Sequence, residues 1–189
     1  IVKTYEEPDT VAVENAIVPF DVEIPKVTLS YKINIGKYDI HELRYYLNTY
    51  FELKMGVTSE LNEKLKEEGL ITSSIDIDIM NADKHLLVVL LFESKEYEKV
   101  IKMIEEELSV SNVFEKDLNR KKKFMKSSCV FRSDSIYSVA SKINSNMINY
   151  RRVILDEYEL IDKLNIDDFN EILDTINFEN KTITVLKKV

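Results

Sequence analysis

From Val27 to Ile35 apolar and polar residues alternate, with Val27, Leu29, Tyr31, Ile33 and Ile35 on one face and Thr28, Ser30, Lys32 and Asn34 on the other. A period of two sends successive side chains to opposite faces, so this segment predicts a half-buried strand. The period then changes. Ile40, Leu43, Leu47, Tyr50 and Phe51 recur at helical spacing behind Asp39, whose carboxylate can accept the first free amides of a helix, and Gly56 ends the run. Thr58 or Ser59 opens a shorter helix with Glu60 in its first turn, where the helix dipole favours an acid. Leu61 and Leu65 form its buried face, and Gly69 stands where a left-handed C-cap is expected.

Alternation returns with Ile75, Ile77 and Ile79 against Asp76 and Asp78. Residues 81 to 84 predict a turn, and the continuous apolar run from Leu86 to Phe92 predicts a central strand. Helical spacing follows on Tyr97, Val100, Ile101, Ile104 and Leu108. Asn112 and Glu115 resemble a capping box opening a long helix that reaches about Cys129. Ile136, Val139, Ala140, Ile143 and Met147 mark another helix, and a short one follows near 155 to 163. Asn165 caps a last helix to Ile176, and residues 181 to 189 close the chain as a strand with Thr182 and Thr184 on its polar side. Pro8, Pro19 and Pro25 disfavour helix before them, so residues 1–25 read as a linker or an edge-hugging arm and residues 26–189 as one domain.

The order β-α-α-β-β-α-α-α-α-α-β gives an α+β class. Strands with one apolar and one polar face predict a two-layer sandwich: a mixed, mostly antiparallel sheet with helices on one face and an open face on the other. At 189 residues the chain can bury a substantial core, and only 3 Gly and 3 Pro favour helix. The net charge of -8 argues against nucleic acid as a partner, and no apolar run is long enough to span a bilayer. The single cysteine, Cys129, allows no internal disulfide and points to a reducing, cytoplasmic setting. A first residue of Ile1 rather than Met suggests a piece of something longer.

Several phrases carry a resemblance beyond periodicity: Gly56-Val57-Thr58-Ser59-Glu60-Leu61, Lys64 to Leu70, Glu93 to Lys99, and the closing run from Asp167 through Leu173 and Phe178 to Val185. With the element order, they resemble one domain of the insulinase, pitrilysin and mitochondrial-processing-peptidase family, over roughly residues 20 to 189. The likeness is to the second, non-catalytic domain of bacterial zinc-protease-like members that carry two such domains per chain. It implies homologous domains enclosing a chamber, sheets facing inward, a peptide substrate, a homologous domain of the same protein as partner, and in some members a homologous second subunit. It also implies zinc held by an inverted HxxEH motif in an N-terminal domain, where an activated water attacks the peptide carbonyl.

This chain lacks that motif. Its two histidines stand as His41-Glu42-Leu43-Arg44-Tyr45 and His85-Leu86-Leu87-Val88-Val89, whereas a catalytic zinc needs three converging ligands. No zinc or other cofactor is therefore expected in this chain, nor peptide cleavage by it alone. The resemblance also implies an arginine and a tyrosine near the Gly69-Leu70 turn that grip substrate; the nearest positions hold Lys66 and Thr72, and a lysine lacks the bidentate fork of a guanidinium. The implied role is to line a chamber and pack against a homologous domain, with Lys66, Thr72, Asp76, Asp78 and Lys32 as chamber-wall candidates. A catalytically silent scaffold or peptide-binding subunit of the same fold is the alternative, and an unrelated α+β ligand-binding module would instead need a closed pocket.

Other features have plain readings. Asp76 and Asp78 suit either a cation site or simple polar alternation, and one strand supplies too few ligands, so alternation is preferred. The run Arg120-Lys121-Lys122-Lys123 covers a full helical turn and reads as a solvated surface with at least one member near the packed side. Arg151 and Arg152 suit the end of the preceding helix. Cys129 reads as a small buried residue, and Tyr45, Tyr46 and Tyr50 as packing groups.

Overall fold

The computed structural model of the chain describes residues 7–110 and 113–188. In chain order the elements are β1 (Asn15–Pro19), β2 (Lys26–Asn34), α1 (Ile40–Met55), α2 (Glu60–Glu67), β3 (Asp76–Ala82), β4 (His85–Glu93), α3 (Tyr97–Ser109), α4 (Glu115–Ser133), α5 (Ile136–Tyr150), α6 (Glu157–Lys163), α7 (Ile166–Thr175) and β5 (Lys181–Lys187). The strands form one sheet in the order β1-β5-β2-β4-β3. β2 pairs antiparallel with both β4 and β5, β3 antiparallel with β4, and β1 parallel with β5, so the sheet is mixed and mostly antiparallel, as expected.

The alternating strands bury their apolar faces under the helices. Val27, Leu29, Tyr31 and Ile33 of β2 join Val88 and Leu90 of β4, Val185 of β5, Leu47, Tyr50 and Phe51 of α1, Ile104 of α3 and Phe169 of α7 in one core. Each fully buried side chain of this size contributes roughly 1.5–3 kcal/mol, which makes the sheet–helix interface the main source of stability.

Local rules set the helix ends. Asp39 accepts from the amides of His41 and Glu42, Ser59 from that of Asn62, and Asn165 from that of Asp168. Gly69 adopts φ +68°, its amide bonding the Lys66 carbonyl at 3.0 Å while the Leu70 amide bonds that of Leu65 at 2.9 Å. This is the paired closure that a left-handed residue makes possible. Asn112 lies outside the described residues, and the residue capping α4 is Phe114, with no side-chain bond.

Three differences from the sequence reading matter. Asn15–Pro19, read as part of the arm, is an edge strand; the partner that makes it one, β5, lies at the far end of the chain. The apolar run in β4 is interior, flanked by β2 and β3, but it is not covered on both sides: Leu87 and Val89 are half-buried and Leu91 is exposed. In α5 the apolar stripe is not core. Its one buried residue is Asn146, while Ile136 and Tyr137 are 88% and 90% exposed.

Candidate functional site

The register of the strands builds the open face row by row. Thr28 of β2 pairs with Thr184 of β5 and Leu91 of β4, and Leu91 with Asp76 of β3; the next row joins Thr182, Ser30, Val89 and Asp78. Lys32, Leu87 and Met80 make a third row. The face is therefore an apolar stripe, Leu87, Val89 and Leu91, with hydroxyls on one side and the carboxylates of Asp76 and Asp78 on the other. The stripe is the outward side of the continuous apolar run of β4.

Of the wall candidates, Asp76 and Asp78 stand exposed on β3, and Lys32 shares their face two strands away. Lys32 is engaged: its ammonium lies 3.4 Å from the Glu7 carboxylate and only 10% of its side chain is exposed. Residues before β1 cross this end of the face, because Asp9 accepts from Asn34 Nδ2 at 3.0 Å and sits 3.1 Å from His85 Nε2. Asn180 fixes the same segment through the Val11 amide and the Asp9 carbonyl. Lys66 and Thr72 lie off the sheet, on α2 and in the loop after it; Lys66 donates to Ser74 Oγ at 2.8 Å and Thr72 is exposed. The structure thus places three of the five candidates on one face and the other two off the sheet.

A second polar region was not read from the sequence. A cleft of about 340 Å³ opens between α1, α4, α5 and the start of α6. Glu157 is its hub: Oε1 accepts from the Tyr45 hydroxyl, from Arg132 Nη2 at 2.8 Å and from Lys142 Nζ at 3.1 Å. Burial opposes the charge on Glu157, but the tyrosine bond and the two cations outweigh it and hold the carboxyl below the ordinary glutamate range. The same burial, with the Glu157 bond, pushes the Tyr45 hydroxyl well up. His41 lies between the rings of Tyr45 and Tyr150, and burial with the nearby charges of Lys142 and Arg152 lowers its pKa. These groups come from four helices, so no local spacing announces them.

The basic run on α4 is partly structural. Lys122 donates to the carbonyls of Asp162 and Leu164 at the C-terminal end of α6, where backbone oxygens lack helical partners, and Lys121 reaches Glu52 of α1 at 3.4 Å. Arg152 pairs with Asp39 at 2.8 Å, tying the segment after α5 to the cap of α1. Cys129 is half-buried rather than buried. Among the described residues no three histidines, cysteines or carboxylates converge as metal ligands, and no helix is long and apolar enough to cross a membrane.

No protein-family model matches the sequence, and no curated protein matches it either. Solved structures do. An M16-like peptidase of Alicyclobacillus acidocaldarius superposes with a TM-score of 0.85 at 13% identity, over 99% of this chain and 49% of that one. The peptidase M16 inactive domain of Pseudomonas fluorescens gives 0.75 at 11% identity, over 100% of this chain and 47% of that one. The chain has the fold of an M16 peptidase domain. It is the fold that the family resemblance implied, and the chain spans about half the length of these two structures. The chain is also similar to part of the ferredoxin protease FusC, solved as a mutant in complex with Arabidopsis ferredoxin, with a TM-score of 0.66 at 13% identity over 100% of this chain and 21% of that one.

Proposed function

We propose that this M16-type domain is the non-catalytic part of a zinc-metallopeptidase-like protein, in which its open sheet face lines a chamber for peptides and its helical layer packs against a homologous domain. The observation that carries the reading is the open face itself. An apolar stripe flanked by hydroxyls and carboxylates suits an extended peptide, whose apolar side chains cover Leu87, Val89 and Leu91 while its cationic ones meet Asp76 and Asp78. The exposed apolar residues of α4 and α5 support the packing, since patches of that kind mark interaction surfaces. The FusC–ferredoxin complex supports a polypeptide substrate class for such a chamber.

The test is a photo-crosslinker in place of Leu91 in the intact protein, offered an unfolded cationic peptide. Capture there, weakened by Asp76→Asn with Asp78→Asn, supports the reading; no capture by the face, or zinc-dependent cleavage by this chain alone, overturns it. A catalytically silent scaffold of the same fold is the second reading, favoured by Lys66 and Thr72 standing near the Gly69 turn where an arginine and a tyrosine would grip substrate. Zinc analysis of the whole protein with a peptide-cleavage assay separates the two, and zinc-dependent cleavage rejects the scaffold.

A further inference from the structure

The cleft between α1, α4 and α5 has a charge balance opposite to that of the chain. The chain carries -8, yet this cleft is lined by four cations, Arg44, Lys121, Arg132 and Lys142, against two carboxylates, Glu52 and Glu157. Glu52 is matched by Lys121, and Glu157 is shared by Arg132 and Lys142 through a single oxygen, leaving one positive charge over at that hub. Arg44 has no carboxylate partner among the described residues; its one hydrogen bond there is a long one, 3.4 Å from Nη1 to Asn81 Oδ1. Two positive charges thus remain uncompensated in a concavity where low-dielectric walls strengthen their field.

The lining is suited to an organic ligand rather than to bulk water alone. Phe124 and Met125 present apolar surface beside the cations, and Asn48 and Asn149 supply amides. A volume of about 340 Å³ is at the small end of ligand pockets. The planar guanidinium of Arg44 offers paired donors that match a carboxylate, which a lone ammonium does not. The lowered pKa of His41 agrees with a positive local field, burial being its larger cause and the charge of Lys142 the next.

We propose that this cleft binds a small organic dicarboxylate, one carboxylate on the free guanidinium of Arg44 and the other at the cationic side of the Glu157 hub. The site belongs to the helical layer and not to the open sheet face, so it stands independently of the chamber reading.

Calorimetric titration of the 189-residue chain at low salt, with succinate as the probe, tests it. Succinate is expected to bind and to weaken as salt rises, with the neutral succinamide failing to bind. Arg44→Gln should weaken succinate by roughly tenfold to a hundredfold, the worth of a charge-assisted pair, while leaving the thermal midpoint of the unliganded chain in place. Arg44→Lys should recover part of the loss, and Glu52→Gln, which removes a lining carboxylate, should tighten binding. Absence of succinate binding overturns the proposal, as does equal binding by the wild type and Arg44→Gln. Inorganic phosphate binding as tightly as succinate would make this a plain anion site and would also overturn it. Peptide capture at Leu91 reports on a different face, so failure here and failure of the chamber reading are separate results.

Discussion

Arg132 Nη2 of α4 lies 2.8 Å from Glu157 Oε1 at the start of α6, and the same oxygen takes bonds from Lys142 of α5 and Tyr45 of α1. One carboxylate therefore ties four helices together. Replacing it by alanine leaves the half-buried Tyr45 hydroxyl and two cations without their acceptor. Glu157→Ala should destabilise the chain by about 1–3 kcal/mol in urea denaturation, the usual cost of stranding a buried donor.

Glu157 also predicts an acid limb. Its folded pKa is depressed, so its contribution is fully present above the ordinary unfolded value of about 4.3 and is lost as pH falls through the lower folded value. Glu157→Gln keeps an acceptor oxygen and cannot titrate, so denaturation midpoints measured from neutral pH down should fall less steeply for this variant than for the wild type. Parallel curves would show that the carboxylate does not drive the acid limb.

Two glycines differ in kind. Gly69 has φ +68° with nothing within 4 Å of a built Cβ, so Gly69→Ala should cost about 1–2 kcal/mol, from backbone strain alone. At Gly56 the backbone is in an ordinary region, but a Cβ would stand 2.4 Å from the Glu52 carbonyl oxygen, a contact that forces the end of α1 to shift. Gly56→Ala should therefore be the more damaging in thermal melts, and Gly69→Asn should recover part of the loss at its own site, because asparagine tolerates the left-handed region.

Much of this fold is legible in the sequence because its determinants are local. Asp39, Ser59, Asn165 and Gly69 each answer a backbone need within three to five residues, and the alternation of β2 fixes which face is buried. What was not legible depends on distant partners. β1 pairs with β5, Asn15 with Ile183, and no property of Asn15–Pro19 alone announces that. The Glu157 hub assembles residues from positions 45, 132, 142 and 157, none at a motif spacing. Periodicity in α5 shows that a face is apolar, but not whether this chain covers it.

The isolated chain should bind zinc well below one ion per molecule and should leave fluorogenic peptides intact. A catalytic zinc needs three converging protein ligands. His85 is buried with Nε2 3.1 Å from Asp9, and His41 sits between Tyr45 and Tyr150 on another element. Elemental analysis after loading and dialysis, run beside the peptide assay, checks both statements; one retained zinc per chain would contradict the ligand count.

The exposed face of α5 separates packing within this chain from packing against another. Ile136, Tyr137 and Ile148 are 88%, 90% and 72% exposed, and Phe131, just before the turn into α5, is 74% exposed. Exposed side chains contribute little to folding, so Ile136→Ser with Tyr137→Ser should change unfolding free energy by less than about 0.5 kcal/mol per site. By contrast, Ile104→Ala in the core should cost about 2–5 kcal/mol. If the face is an interaction surface, the double variant should lower self-association of the chain in sedimentation experiments and weaken the proposed packing against a homologous domain. A large fall in stability would mean that these side chains are held by this chain itself, whereas unchanged association would show that the face is not a packing surface.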